Sequence, residues 1–351
     1  MNPQKFTFSG SLFRGRFMWH AQWDLDMINA VKNSHYTIQN ASDADIFIVP
    51  TPFSGLLGPQ KHFGDPMNLA FTTLLQQDSW KKHKGHKHVF FASAHVFFRR
   101  DNIRQLKGFS KYYPIIYNSS AVLCYDPHAI SEACHNNVDL ADFQPLCKQF
   151  DPPVNRASIS MGMSPELKSM PLRLASLEKF YNSSNLVFFH SRRSRSVSNS
   201  TIYRHSPITN ITFSNYPKSS IGFDLENATI WQREYMDSKF CLVIRGDDPA
   251  SRSLWRALRV GCIPVIISNL LPIYSPMLKN TLNMTDFSVV LDEKQVVISP
   301  EKIFEVVQNM GMKEISEKIQ QLSFAQQVLF PDHPKSLFVE AFLKEAMVSF
   351  H

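Results

Sequence analysis

Lys239 to Ser268 reads KFCLVIRGDDPASRSLWRALRVGCIPVIIS, and these thirty residues leave few folds open. Phe240 to Ile244 and Cys262 to Ile267 are short apolar runs rich in β-formers. Between them Asp248 can cap a helix, Pro249 suits its first position, Leu254, Ala257 and Leu258 give it one apolar face, and Gly261 ends it. Two short strands joined by one helix lie parallel with a right-handed crossover, and sheets of that kind bind ligands at the carboxyl ends of their strands. The loop from Arg245 to Arg252 falls at that end.

Matching positions on two such strands bring Cα atoms to about 5 Å, within disulfide range, which pairs Cys241 with Cys262 in an oxidising compartment. The other cysteines, Cys124, Cys134 and Cys147, cannot be paired from sequence. Glycosylation sequons at Asn40, Asn118, Asn182, Asn199, Asn210, Asn227 and Asn283 favour a secretory chain over a chance product of its Ser content. MNPQKFTFSG is not a signal peptide, and no apolar run has the length of a membrane span. The net charge of +7 suits an anionic ligand such as a sugar nucleotide or an acidic polysaccharide. With 351 residues and 44% hydrophobic content, two cored domains fit.

Along the chain, periodicity predicts a helix over Trp19 to Ser34, a strand over Ala44 to Pro50, a helix over Asn68 to Trp80 and a strand over His88 to Ala92. The run 81–88, KKHKGHKH, lacks metal-ligand spacing and reads as a solvated loop. Asp24-Leu25-Asp26 and Asp43-Ala44-Asp45 have an acid-x-acid form, but neither follows a strand, so no metal site is expected there. A strand over Ala121 to Cys124 precedes a loop region from Asp126 to Pro153. Pro165 to Tyr181 is helical in pattern after Pro171 and marks the domain junction. Leu186 to Phe189 is a buried-type strand, followed by the basic segment HSRRSRSVSNS, too short for a nuclear RS repeat. Arg192, Arg193, Arg195 and Arg204 come after this strand's carboxyl end, where phosphates bind or a solvated loop runs. A strand over Phe287 to Leu291, helices over Pro300 to Asn309 and Ile315 to Phe324, and a terminal helical segment from Ser336 to Met347 complete the pattern.

Arg245 and Arg252 flank a helix start whose first amides point outward, which suits a diphosphate; a salt-bridged structural turn is the competing reading. At least one of Asp247 and Asp248 should cap the helix or face a ribose hydroxyl. The loop has neither the P-loop nor the dinucleotide glycine spacing.

The string SKFCLVIRGDDPASRSLWRALRVGCIPVIIS resembles the signature of the exostosin family of glycosyltransferases, and ASDADIFIVP, LVFFHS and MTDFSVVLDE resemble further family segments. The resemblance implies a GT-B fold, with residues 1–165 as an acceptor-side Rossmann-like domain and 166–351 as a nucleotide-sugar donor domain whose terminal helix docks back on the body. It implies an inverting transferase that moves a sugar from a UDP-sugar to a glycan or polysaccharide acceptor without a metal or other cofactor. Residence would be the Golgi lumen behind an N-terminal anchor; neither that anchor nor the family's first strand is recognised in these residues. A related transferase is an expected partner in a hetero- or homo-oligomer, and no nucleic acid is expected. By position, Arg204, Arg245, Gly246, Ser251 and Arg252 would hold the diphosphate, Asp247 would serve the nucleoside and Glu293 would lie near the sugar. His95 is the best match for a general base, although Val96 follows where the family often has an acid. Ser191 replaces a common glycine, and Arg256 stands where the family usually carries an acid able to accept ribose hydrogen bonds. The alternative reading is therefore a non-catalytic paralogue that binds glycan or a catalytic partner.

Overall fold

The computed structural model describes residues 18–53, 64–91, 122–125, 158–160, 170–188, 232–244, 252–269, 278–299 and 301–350. The chain divides into two compact units, Met1–Met161 with Phe342–His351, and Gly162–Ala341. Each is built around a parallel four-stranded sheet with helices, so the fold class is mixed α/β.

In the first unit the strands β1 (Phe47–Ile48), β2 (His88–Phe91), β3 (Val122–Tyr125) and β4 (Ser158–Ser160) pair in chain order. Helix α1 (Met18–Lys32) packs on β2 and buries Trp23, Met27, Ile28 and Val31, the spacing of one helical face. β2 is buried along its whole length, as a parallel strand covered on both faces must be. The helix expected over Asn68 to Trp80 is two: α2 (Gly64–Gln76) and α3 (Asp78–His83), separated at Gln77, whose ψ of 137° is extended. The basic run is not simply a solvated loop. Lys84 at φ 50° caps α3, and His88 is buried in β2 with its ring stacked on Phe47, where burial lowers its pKa. β4 went unseen in the sequence because three residues, Ser158–Ser160, give no periodicity.

In the second unit β5 (Asn185–Phe188), β6 (Ser238–Ile244), β7 (Ile263–Ile267) and β8 (Val289–Leu291) pair in chain order. Between β6 and β7, α5 (Arg252–Arg259) packs on both strands and buries Leu254, Trp255, Ala257 and Leu258. Only α4 (Leu177–Asn182) forms where a helix was expected after Pro171. The physical reason is competition for the backbone: Arg173 N–H donates to Arg259 O, Ala175 N–H donates to Gln326 Oε1, and Gln326 Nε2 donates to Arg173 O, so residues 173–175 spend their polar groups on distant partners. Ser176 then caps α4 through the Lys179 N–H.

Gly261 makes that packing possible. It has φ +64°, and a Cβ there would stand 2.8 Å from Ala175 N and Cα. Phe287 belongs to a short helix, α6 (Met284–Phe287), rather than to the strand expected over Phe287 to Leu291, because Asn283 accepts from Thr285 N–H and caps it. Helices α7 (Glu293–Ile298), α8 (Lys302–Gln308), α9 (Met312–Leu329) and α10 (Phe338–Ser349) follow. α9 outruns its expected bounds at both ends and packs on α5, α6 and β7. From Phe342 onward α10 belongs to the first unit, where the Phe342 ring lies 5.4 Å from that of Phe91. Among the described residues no helix is long and apolar enough to cross a membrane.

Candidate functional site

A parallel sheet has one edge at which every strand ends, and in the second unit the register fixes it. Ile244 pairs with Ile267, and Ile267 with Leu291, so β6, β7 and β8 finish level. Chain positions 245, 268 and 292 therefore follow from a common edge, as ligand loops of such sheets do.

At that edge the ends of β7 and β8 are tied together. Asn269 N–H donates to Glu293 Oε1 at 2.9 Å, and Glu293 N–H donates back to Asn269 Oδ1 at 3.1 Å. The Asn269 amide also donates to Asp292 Oδ2, and Gln295 N–H donates to Asp292 Oδ1, both at 2.9 Å. These bonds from Gln295 and Asn269 hold the Asp292 carboxyl below its ordinary range. Glu293, only 6% exposed, is thus a buried carboxylate in a fixed position at the first turn of α7. Sequence reasoning singled out Glu293 but missed Asn269 and Asp292. For Asp292 the signal was present, since Asp292-Glu293-Lys294-Gln295 has the form of a capping box, whereas Asn269, two residues past the apolar run of β7, carried none in its local sequence.

Cys241 and Cys262 are joined by a disulfide with Cα atoms 5.8 Å apart, and both are fully buried. The bridge crosses from β6 to the residue before β7. It fixes the crossover that carries α5.

Arg252 is the first residue of α5. Arg256, one turn beyond Ser253, lies with it against the buried Tyr235 phenol; burial pushes that phenol's pKa up, with Arg256 and Ser253 acting in the opposite direction. The position read as a missing acid is therefore occupied by a side chain that lies against the buried Tyr235 phenol. Arg259 closes the same helix: it is buried, both terminal nitrogens reach the Asp332 carboxylate, Nε donates to Met170 O, and its guanidinium stacks over Phe330.

The remaining predicted site residues, His95, Arg204, Arg245, Gly246, Asp247 and Ser251, lie outside the described residues, as do Arg192, Arg193 and Arg195. Asp24 of the first acid-x-acid pair is buried in α1, while Asp43 and Asp45 are exposed ahead of β1. Among the described residues no three of His, Cys, Asp and Glu gather in a way that could hold a metal ion.

The model of the exostosin GT47 domain matches residues 17–307, most of the 351-residue chain. No curated protein matches the sequence significantly.

Proposed function

We propose that this chain, which belongs to the exostosin GT47 family, is an inverting glycosyltransferase that moves a sugar from a UDP-sugar to a glycan acceptor. Family membership makes it a glycosyltransferase-type chain; the donor, the mechanism and the GT-B arrangement are our reading. The observation that carries it is the level edge of β6, β7 and β8, from which the Arg245 loop follows and at which Asn269 fixes the Glu293 carboxylate.

In this reading Arg245, Gly246, Ser251 and Arg252 hold the diphosphate with the start of α5, and Arg204 adds a further positive charge. Asp247 takes a ribose hydroxyl, and Glu293 accepts hydrogen bonds from the donor sugar. The acceptor hydroxyl oxygen attacks the anomeric carbon from the face opposite the diphosphate. The bond from that carbon to the diphosphate oxygen breaks, and UDP leaves with the electron pair. The hydroxyl proton passes to a base, for which His95 is our assignment. Arginine charge and helix-start amides stabilise the departing diphosphate, with no cofactor assigned. We place the protein in the Golgi lumen, working on a glycan with a related transferase as partner.

The test is Arg245→Ala. Loss of UDP binding by calorimetry and a fall in UDP-sugar turnover of about 100-fold or more, in a chain that keeps its fold, are expected. Undiminished turnover, or no UDP binding by the parent protein, overturns the reading.

A further inference from the structure

We propose that Asn40, Asn182 and Asn283 carry N-linked glycans, all on the sheet edges opposite those from which the ligand loops leave. The proposal rests on the secretory residence assigned above.

Three of the seven sequons fall among the described residues, and in each both the asparagine and the hydroxyl residue two positions on are exposed: Asn40 with Ser42, Asn182 with Ser184, and Asn283 with Thr285. A glycan is bulky and hydrated, so an acceptor nitrogen must face solvent.

Two of the sites share one local geometry. At Asn40, Oδ1 accepts from Ser42 N–H and from the Ser42 hydroxyl, while Nδ2 donates to Asp43. At Asn283, Oδ1 accepts from Thr285 N–H and from the Thr285 hydroxyl, while Nδ2 donates to Asp286. The capping work is done by the carbonyl oxygen, and the aspartate takes one of two amide hydrogens. Replacing the second hydrogen by a sugar leaves cap and aspartate contact intact. In the transfer, the amide nitrogen forms a bond to the anomeric carbon of a lipid-linked oligosaccharyl diphosphate. The carbon–oxygen bond to the diphosphate breaks, the lipid diphosphate leaves with the electron pair, and the nitrogen gives one proton to the transferring enzyme.

Chain direction then places the glycans. Asn40 lies on the connection entering β1, Asn182 ends α4 just before β5, and Asn283 precedes α6 and β8. Ser184 N–H donates to Asp237, the residue before β6, which puts the Asn182 sequon at the amino edge of two strands. In a parallel sheet the segments entering strands arrive at the amino edge, and ligand loops leave from the other. Glycans at Asn182 and Asn283 leave the Glu293 edge of the second unit's sheet clear, and one at Asn40 leaves clear the carboxyl edge of the first unit's own sheet.

The test takes the full protein from cells that make it, releases N-glycans enzymatically in heavy-oxygen water and maps the peptides under non-reducing conditions. Heavy-oxygen aspartate is expected at positions 40, 182 and 283, and unmodified asparagine there overturns the proposal. The Cys241–Cys262 peptides in the same digest separate the two levels of argument. A disulfide with unmodified asparagines leaves the secretory reading standing and the glycan proposal refuted, whereas free thiols with unmodified asparagines refute both. Ser42→Ala, Ser184→Ala and Thr285→Ala should each remove one step of gel mobility while keeping the asparagine; Ser42→Thr should retain it. A site whose variant loses no step is not an acceptor.

Discussion

Gln326 offers the sharpest test of how the second unit holds helix α5. Its side chain, fully buried in α9, accepts from Ala175 N–H at 2.8 Å and donates to Arg173 O at 2.9 Å and Leu258 O at 2.7 Å. Gln326→Met keeps the length and removes every polar atom. Leu258 O retains the Gly261 N–H, so two backbone groups, Ala175 N–H and Arg173 O, lose these bonds. Each buried group deprived of its partner costs about 1–3 kcal/mol, and the variant recovers about 1 kcal/mol by no longer burying an amide. The net loss is about 3 kcal/mol. A two-unit chain has no single unfolding free energy, so the assay should be local. Hydrogen exchange of peptides covering residues 173–182 and α5 should accelerate by about 100-fold, the equivalent of that loss. Unchanged protection in those peptides would show that the clamp does not hold the segment and would refute the account given for the absence of the expected helix.

Three further outcomes follow from buried features of the same unit. Lys179 is buried with its ammonium donating to Ser238 O, and burial, with Arg173 nearby, lowers its pKa to about 7. Between that value and the ordinary lysine pKa the unfolded chain holds a proton that the folded one has released, so stability rises with pH. From pH 7 to 9 the second unit of the parent should gain about 2 kcal/mol relative to Lys179→Met, read from that unit's own denaturant transition at each pH. Gly261→Ala places a Cβ against the Ala175 backbone at a left-handed φ and should cost about 3 kcal/mol, seen as a fall in the thermal midpoint of the second unit on the order of 5–10 °C. Removing the Cys241–Cys262 bridge, 21 residues apart in sequence, by a double alanine substitution should cost the second unit about 3 kcal/mol, read from that unit's own denaturant transition; native thiol labelling of the parent should fail at both positions.

Much of this architecture was legible where burial writes itself into composition. β2, β6 and β7 are covered on both faces, and their sequences HVFF, SKFCLVI and IPVII are nearly continuous apolar runs. Residues 170–176 were illegible for the opposite reason. Their leucine and methionine spacing is helical, yet the groups that decide their backbone are Arg259 and Gln326, the latter 151 residues from Ala175. No local window contains that information.

The site divides along the same line. Glu293 could be singled out because an acid after a strand end is a local pattern, and the family resemblance pointed to the same residue. Asn269 could not, since its use depends on β7 pairing with β8 in the register that sets Ile267 beside Leu291. Shift that register by one residue and Asn269 no longer meets Glu293, although neither local sequence has changed. Register also gives the edge its meaning. Because all four strands of the second sheet run one way, segments that leave strands gather at one edge and segments that enter them at the other, and the proposed donor loops and the proposed glycans fall on opposite edges. Asn283 and Asp292 sit on opposite sides of the three-residue strand β8, and chain direction alone sorts one to each edge.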